Sequence, residues 1–161
     1  MNPKDCLALA YDLFQEAYER QMEGELDMAV DLYRRSIEVF PTAEAHTFLG
    51  WTYSFLGKLD EAIDECKKAI RIDPDFGNPY NDIGAYLIEK TLYEEAIPWL
   101  LRALSAKRYD NYHFAHYNLG RAYMASDLLN KARSEFQRAL SIRPEYEMAT
   151  KALAQVTLRI Q

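Results

Sequence analysis

Only two cysteines, Cys6 and Cys66, occur in the 161 residues. They stand far apart with no CxxC pair, which excludes a disulfide framework and a thiolate metal site. Two reduced thiols in a cytoplasmic chain are the expectation. Glycine and proline number six each, too few for a linker or a low-complexity tail. No run approaches the ~20 apolar residues that span a bilayer, so a membrane is not an expected partner. The opening MNPKDCLALAYDLFQEAYER lacks a basic n-region and an unbroken apolar stretch, and no secretory signal is read there. Positive charge is also short. The formal net charge is −6, and Arg34-Arg35, Lys67-Lys68 and Lys107-Arg108 lie scattered among acids as solvated helix faces. Nucleic acid demands clustered Lys and Arg, and it is not expected as a partner.

What is present is small residues at set places. His46-x2-Leu49-Gly50-x2-Tyr53 returns as Tyr80-x2-Ile83-Gly84-x2-Leu87, then as His116-x2-Leu119-Gly120-x2-Tyr123. Ala62, Cys66 and Ala69 are matched by Ala96, Leu100 and Ala103, then by Ala132, Phe136 and Ala139, and upstream by Ala29, Tyr33 and Ser36. Pro41, Pro74 and Pro144 close three of these segments. A glycine inside a helix costs roughly 0.5–1 kcal/mol relative to alanine, so its return at one phase implies a close helix crossing.

Gly50 and Gly84 are 34 residues apart, and Gly84 and Gly120 are 36. The period and pattern resemble the tetratricopeptide repeat, a helix–turn–helix of 34 residues. The resemblance implies an all-α, right-handed solenoid of about four repeats, at about 10–42, 43–76, 77–112 and 113–146, with a capping helix over 147–161. No repeat buries its apolar face alone, so each leans on its neighbours. In the capping segment Met148, Ala149, Ala152, Leu153 and Val156 are expected to cover the last repeat.

Helix boundaries are legible. Asn2-Pro3 and Asn78-Pro79 place a capping side chain before a proline, and Thr42 is expected to cap the second repeat. Gly24 and Gly57 fit the turns between paired helices, where positive φ is needed. Thr91 and Asp127 replace this glycine in the later repeats. Glu16 and Arg20 stand where the first repeat should be apolar, and its first helix is expected to begin at Pro3. The third repeat has two extra residues and Arg108 for its closing proline. Its second helix is expected to run past Ala106. Pro98 lies about one turn into a helix, where a missing N–H does little damage.

No catalytic set emerges. His46 and His116 stand at a phase that often holds a large aromatic, and packing is the expectation. His113 and His116 are spaced i, i+3 on one helical face, but no further His or Cys supplies a metal site. Asp60-Glu61 and Glu94-Glu95 open second helices, where negative charge favours the dipole. Cys66 takes a buried phase. With no nucleophile–base–orienter pattern, neither an enzyme nor a cofactor is expected.

The resemblance implies instead a non-catalytic protein–protein interaction module, an adaptor or scaffold with a concave groove lined by the first helices. Carried onto this sequence, the groove phases are Tyr11, Phe14, Tyr18 and Gln21, then Glu44, Thr47, Trp51, Ser54 and Phe55. The third repeat gives Asn78, Asn81, Asp82, Ala85 and Ile88. From the fourth come Phe114, Tyr117, Asn118, Arg121 and Met124, with Lys151 and Gln155 from the cap. Tyr11 and Phe14 are expected to pack between helices, whereas Trp51 and Tyr117 face a ligand. Asn81 and Asn118 would bond a peptide backbone, and Arg121 an acidic group. The clamp of Lys, Asn and Arg that grips chaperone C-termini is missing, because its places hold Phe14, Tyr18 and Phe48, or Thr47, Trp51, Asp82, Phe114 and Asn118. A protein or peptide partner is expected. A homodimer through the same surface and a small secretion-type chaperone are the alternatives.

Overall fold

A computed structural model describes residues 1–161. All regular structure is helical, and the chain divides into two compact units, Met1–Pro74 and Asp75–Gln161.

The N-terminal unit holds α1 (Pro3–Met22), α2 (Leu26–Val39), α3 (Ala43–Phe55) and α4 (Leu59–Ile72). Here α1 packs on α2, α3 on α4 and α2 on α3, while α1 also touches α3. Asn2 starts α1 by accepting from the Asp5 N–H at 2.9 Å, and Thr42 starts α3 by accepting from Ala45 at 3.1 Å. The turns after α1 and α3 use Gly24 and Gly57 at φ of 80° and 75°. The core is built on Ala10, Ala17, Ala29, Tyr33, Ala62 and Cys66, all essentially without solvent contact. Glu16 is exposed, and Arg20, half-buried with its Nε out of solvent, turns its guanidinium to Glu23 at 2.9 Å.

The C-terminal unit holds α5 (Asn78–Glu89), α6 (Tyr93–Ser105), α7 (Tyr112–Ala125), α8 (Leu129–Ile142) and α9 (Glu147–Ile160). Successive helices pack in order, and α5 also meets α7. Gly84 and Gly120 leave room that Leu100 and Phe136 enter, and a Cβ at either position would overlap those side chains. Gly50 is the equivalent in the first unit, with Ala62 O 2.9 Å and Cys66 Sγ 3.3 Å from where its Cβ would stand. One repeat position, Tyr33, Cys66, Leu100 and Phe136, is thus fully buried in every helix pair. The turns at Thr91 and Asp127 keep the left-handed geometry, at φ of 63° and 61°, without glycine.

Three expectations are corrected. The second helix of the third repeat stops at Ser105, with Ala106 extended. The extra residues instead pair with the strand-like lead into α5: Gly77 N–H donates to Arg108 O at 3.0 Å and Arg108 N–H to Asp75 O at 2.9 Å. Asn78 does not cap. It is the first helical residue, and the cap position is Gly77, packed against the Tyr109 ring. Met148 is exposed at 54%, because α9 turns Ala149, Ala152 and Val156 inward.

Candidate functional site

In the N-terminal unit the tight α1–α2 and α3–α4 crossings at Ala17 and Gly50 fix which way the neighbouring aromatics face. Phe14 and Tyr18 from α1 both reach the Phe48 ring of α3, with centroids 5.2 and 5.8 Å apart and edge-to-face planes. Phe48 continues to Trp51 at 5.8 Å and Trp51 to Phe55 at 5.1 Å. The row begins in the core, where Phe14 meets buried Tyr33, and ends in solvent at Phe55, 58% exposed. Tyr11 is 61% exposed, against the expectation that it packs between helices, because it lies one turn before the α3 rings begin. Thr47 is corrected too. It is buried, and its hydroxyl donates to the Ala43 carbonyl at 2.7 Å, so it offers nothing to a ligand. Phe48, which joins the row, was read from sequence only as holding a place of the missing clamp and not among the ligand-facing residues. Its spacing of three before Trp51 was the available signal.

In the C-terminal unit the predicted residues converge differently. Asn118 donates to the Asn81 side-chain oxygen at 3.0 Å, and Arg121 donates to the Asn118 oxygen at 3.0 Å. Both asparagines are buried, so they tie α5 to α7 and are not open to a peptide backbone as expected. The next residue, Asp82, has its carboxyl pushed up to about 7 by burial, opposed by a hydrogen bond from Asn81. Asn78 is half-buried beside them. Tyr117 packs between Phe136 at 5.9 Å and Tyr146 at 5.2 Å, with the Arg121 guanidinium 5.8 Å from its ring centre. Phe114 also meets Tyr146, at 5.6 Å. Tyr146 is the organiser that sequence reading missed, since it lies in the link between Pro144 and α9, outside any repeated position.

The histidines are spent within the fold. His46 and His116 each meet a glutamate of the partner helix, and His113 Nε2 accepts from Arg143 at 3.1 Å. No group of three His, Cys, Asp or Glu side chains is placed to hold a metal ion. No helix is long and apolar enough to cross a membrane.

Helix pairs closed by small residues, with aromatic side chains on the first helix of each, define a helical-repeat interaction module. The tetratricopeptide repeat model matches residues 43–76 and again 113–146. The chain is 32% identical over 92 residues, 56% of its length, to the small glutamine-rich tetratricopeptide repeat-containing protein 2 of Mycosarcoma maydis. That stretch spans 26% of the relative. Among solved structures, the Pseudomonas aeruginosa pilF structure superposes with a TM-score of 0.88 over 94% of this chain and 69% of that one, at 22% identity. The first tetratricopeptide domain of Spaghetti (RPAP3), solved bound to the HSP90 peptide SRMEEVD, gives 0.68 over 73% and 92%, at 24% identity. The chain belongs to the tetratricopeptide repeat family, and its fold is that family's all-α repeat solenoid. Proteins of this kind are generally non-catalytic modules that bind other proteins or peptides.

Proposed function

We propose that the chain is a cytoplasmic, non-catalytic adaptor that seats a partner segment on the aromatic faces of its first helices. The observation that carries this is the row Tyr18, Phe48, Trp51 and Phe55. Each unit already has a closed core, with its own buried rings such as Tyr33 and Phe136, so folding does not require further aromatic rings that run out into solvent. Contiguous exposed apolar surface of this kind marks an interaction site. Burying one such ring contributes roughly 1.5–3 kcal/mol, so three anchors reach micromolar affinity, about −8 kcal/mol, after ordering costs. On the C-terminal unit, Phe114, Tyr117 and Arg121 are the half-buried residues that would meet a partner segment there. Asn81 and Asn118 act beneath them as supports. The solved peptide complex of the Spaghetti domain supports a peptide as the kind of ligand. Cys6 and Cys66, neither in a disulfide, fit a reducing compartment.

The test is affinity capture with the wild type beside a Trp51→Ala, Tyr117→Ala variant, followed by calorimetry with the captured partner. Loss of the partner by the variant, with helical content unchanged by circular dichroism, is expected. Equal capture by both proteins removes these faces as the site.

A further inference from the structure

The exposed side chains of α1 carry a pattern that the repeat does not require. Leu7, Tyr11, Phe14 and Tyr18 are spaced four, three and four residues apart, the seam spacing by which one helix packs along another. Leu7, Tyr11 and Tyr18 remain 47%, 61% and 38% exposed, and Phe14 and Tyr18 join the stripe to the α3 rings. From Leu7 to Tyr18 the stripe runs about 16 Å at 1.5 Å per residue, three turns of a partner helix. The solvent side of α1 beyond the stripe is acidic. Asp12 and Glu19 each follow a stripe tyrosine by one residue, are exposed and form no ion pair within the chain. Lys4 is the one cation at its N-terminal end.

The wider charge has the same sense. Residues 1–74 carry 15 acids against 8 bases, whereas residues 75–161 carry 10 against 11, so the N-terminal unit holds all the net negative charge. Through its last acid of this stretch, Asp31, the chain has 8 acids and only Lys4 and Arg20 as bases.

We propose that the α1–α3 face of the N-terminal unit docks a basic amphipathic helix of a partner protein. Its apolar side would lie along Leu7, Tyr11 and Tyr18 with an anchor against Trp51 and Phe55, and its Lys and Arg would meet Asp12 and Glu19. An acidic segment is repelled by the same acids. This rests on the docking reading above and specifies the partner's chemistry.

The experiment uses the full chain and a displayed library of random peptides of about 18 residues, long enough for five turns of helix. Binders are selected on the wild type and counter-selected on the Phe55→Ala and Trp51→Ala variants. Phe55 is exposed, so its variant keeps the fold even where Trp51→Ala does not. Peptides with net positive charge and apolar residues at i, i+3 or i+4, and i+7 are expected. One such peptide is then titrated into a Trp99→Phe variant, in which Trp51 is the remaining tryptophan of the two. A blue shift of Trp51 emission is expected. Reversal of both rim acids, Asp12→Lys with Glu19→Lys, should weaken binding on the order of tenfold at low ionic strength and much less in molar salt. Selected peptides that are acidic or neutral, yet shift Trp51, overturn the basic partner while the docking reading stands. Failure of either variant to discriminate any peptide overturns both. A dimer that persists on dilution and covers Trp51 overturns the partner helix in favour of a second copy of the chain.

Discussion

His46 Nδ1 lies 2.6 Å from a Glu65 carboxylate oxygen across the α3–α4 pair, and His116 meets Glu135 in the same way at 2.7 Å across α7–α8. Each glutamate is also held by a base one turn on, Lys68 at 2.9 Å and Arg138 at 2.5 Å. The two sites are the same repeat positions filled twice with the same ion-pair design. An ionised carboxylate only accepts, so the imidazole Nδ1 carries the proton in both.

Burial works against the Glu65 charge, but the hydrogen bonds and charges of His46 and Lys68 outweigh it and hold the carboxyl below its ordinary value. A depressed carboxyl contributes stability that is fully present above the unfolded value, near 4.5, and is lost as pH falls through the folded one. Glu65→Gln should therefore cost about 1–3 kcal/mol at neutral pH. It should also flatten the acid limb of stability measured by urea unfolding between about pH 6 and 3. An unchanged acid limb in the variant means that the glutamate is not linked to folding.

His113 predicts a pH dependence in a higher range. Burial first, and then the Arg143 guanidinium, hold its imidazole below the usual 6.5, with Glu145 opposing. The folded state resists protonation that the unfolded chain accepts, so stability rises with pH through this window. Unfolding midpoints of the wild type should fall as pH drops below about 6.5, whereas His113→Gln should lack this component. A variant with the wild-type slope between about pH 7 and 5 counts against the linkage.

Much of this was legible in the sequence for a physical reason. Gly50, Gly84, Gly120 and the alanines facing them recur because helices cross closely there, and a close crossing admits only small residues. Fold class and repeat spacing followed from that, and the starts of α1 and α3 from their capping residues Asn2 and Thr42. The C-terminal unit's polar contacts did not. Asn81 and Asn118 lie 37 residues apart, and each separately looks like a free amide. Only the α5–α7 packing shows that they are spent on one another. The Asp75–Gly77 pairing with Arg108 was equally hidden, since the two-residue insertion has no counterpart in the other repeats. Tyr11 was misread because the repeat template ignores how far α1 extends before α3 begins to cover it.

Thr91 and Asp127 occupy the left-handed turn that Gly24 and Gly57 fill elsewhere. A β-branched residue there is strained by roughly 1–2 kcal/mol. Thr91→Asn, which tolerates this region without the chain entropy of glycine, should raise stability by about 0.5–1 kcal/mol. Asp127→Asn should gain less or lose, because Asp127 also accepts from Arg159 at 2.8 Å and so ties α9 to the α7–α8 turn. Thermal midpoints of the two variants under one buffer separate these outcomes. Equal gains would show that the Arg159 contact contributes nothing.

Gly120 and Gly50, both at helix crossings, should respond differently to repair. A Cβ at Gly120 would overlap the Phe136 ring, which is fully buried and cannot swing away. Gly120→Ala should cost about 1–3 kcal/mol by overpacking. Phe136→Leu made in the same chain frees the space, so the pair should show a favourable coupling above about 0.5 kcal/mol. At Gly50 the nearest atom is the Ala62 backbone carbonyl oxygen, 2.9 Å away, ahead of Cys66 Sγ at 3.3 Å. Trimming Cys66 to alanine leaves that carbonyl in place. Gly50→Ala should therefore stay destabilised in the Cys66→Ala background, with coupling near zero. A double-mutant cycle at each site, read by chemical denaturation, decides the matter. Coupling of the same size at both would mean that side-chain crowding, and not backbone approach, sets the glycine requirement.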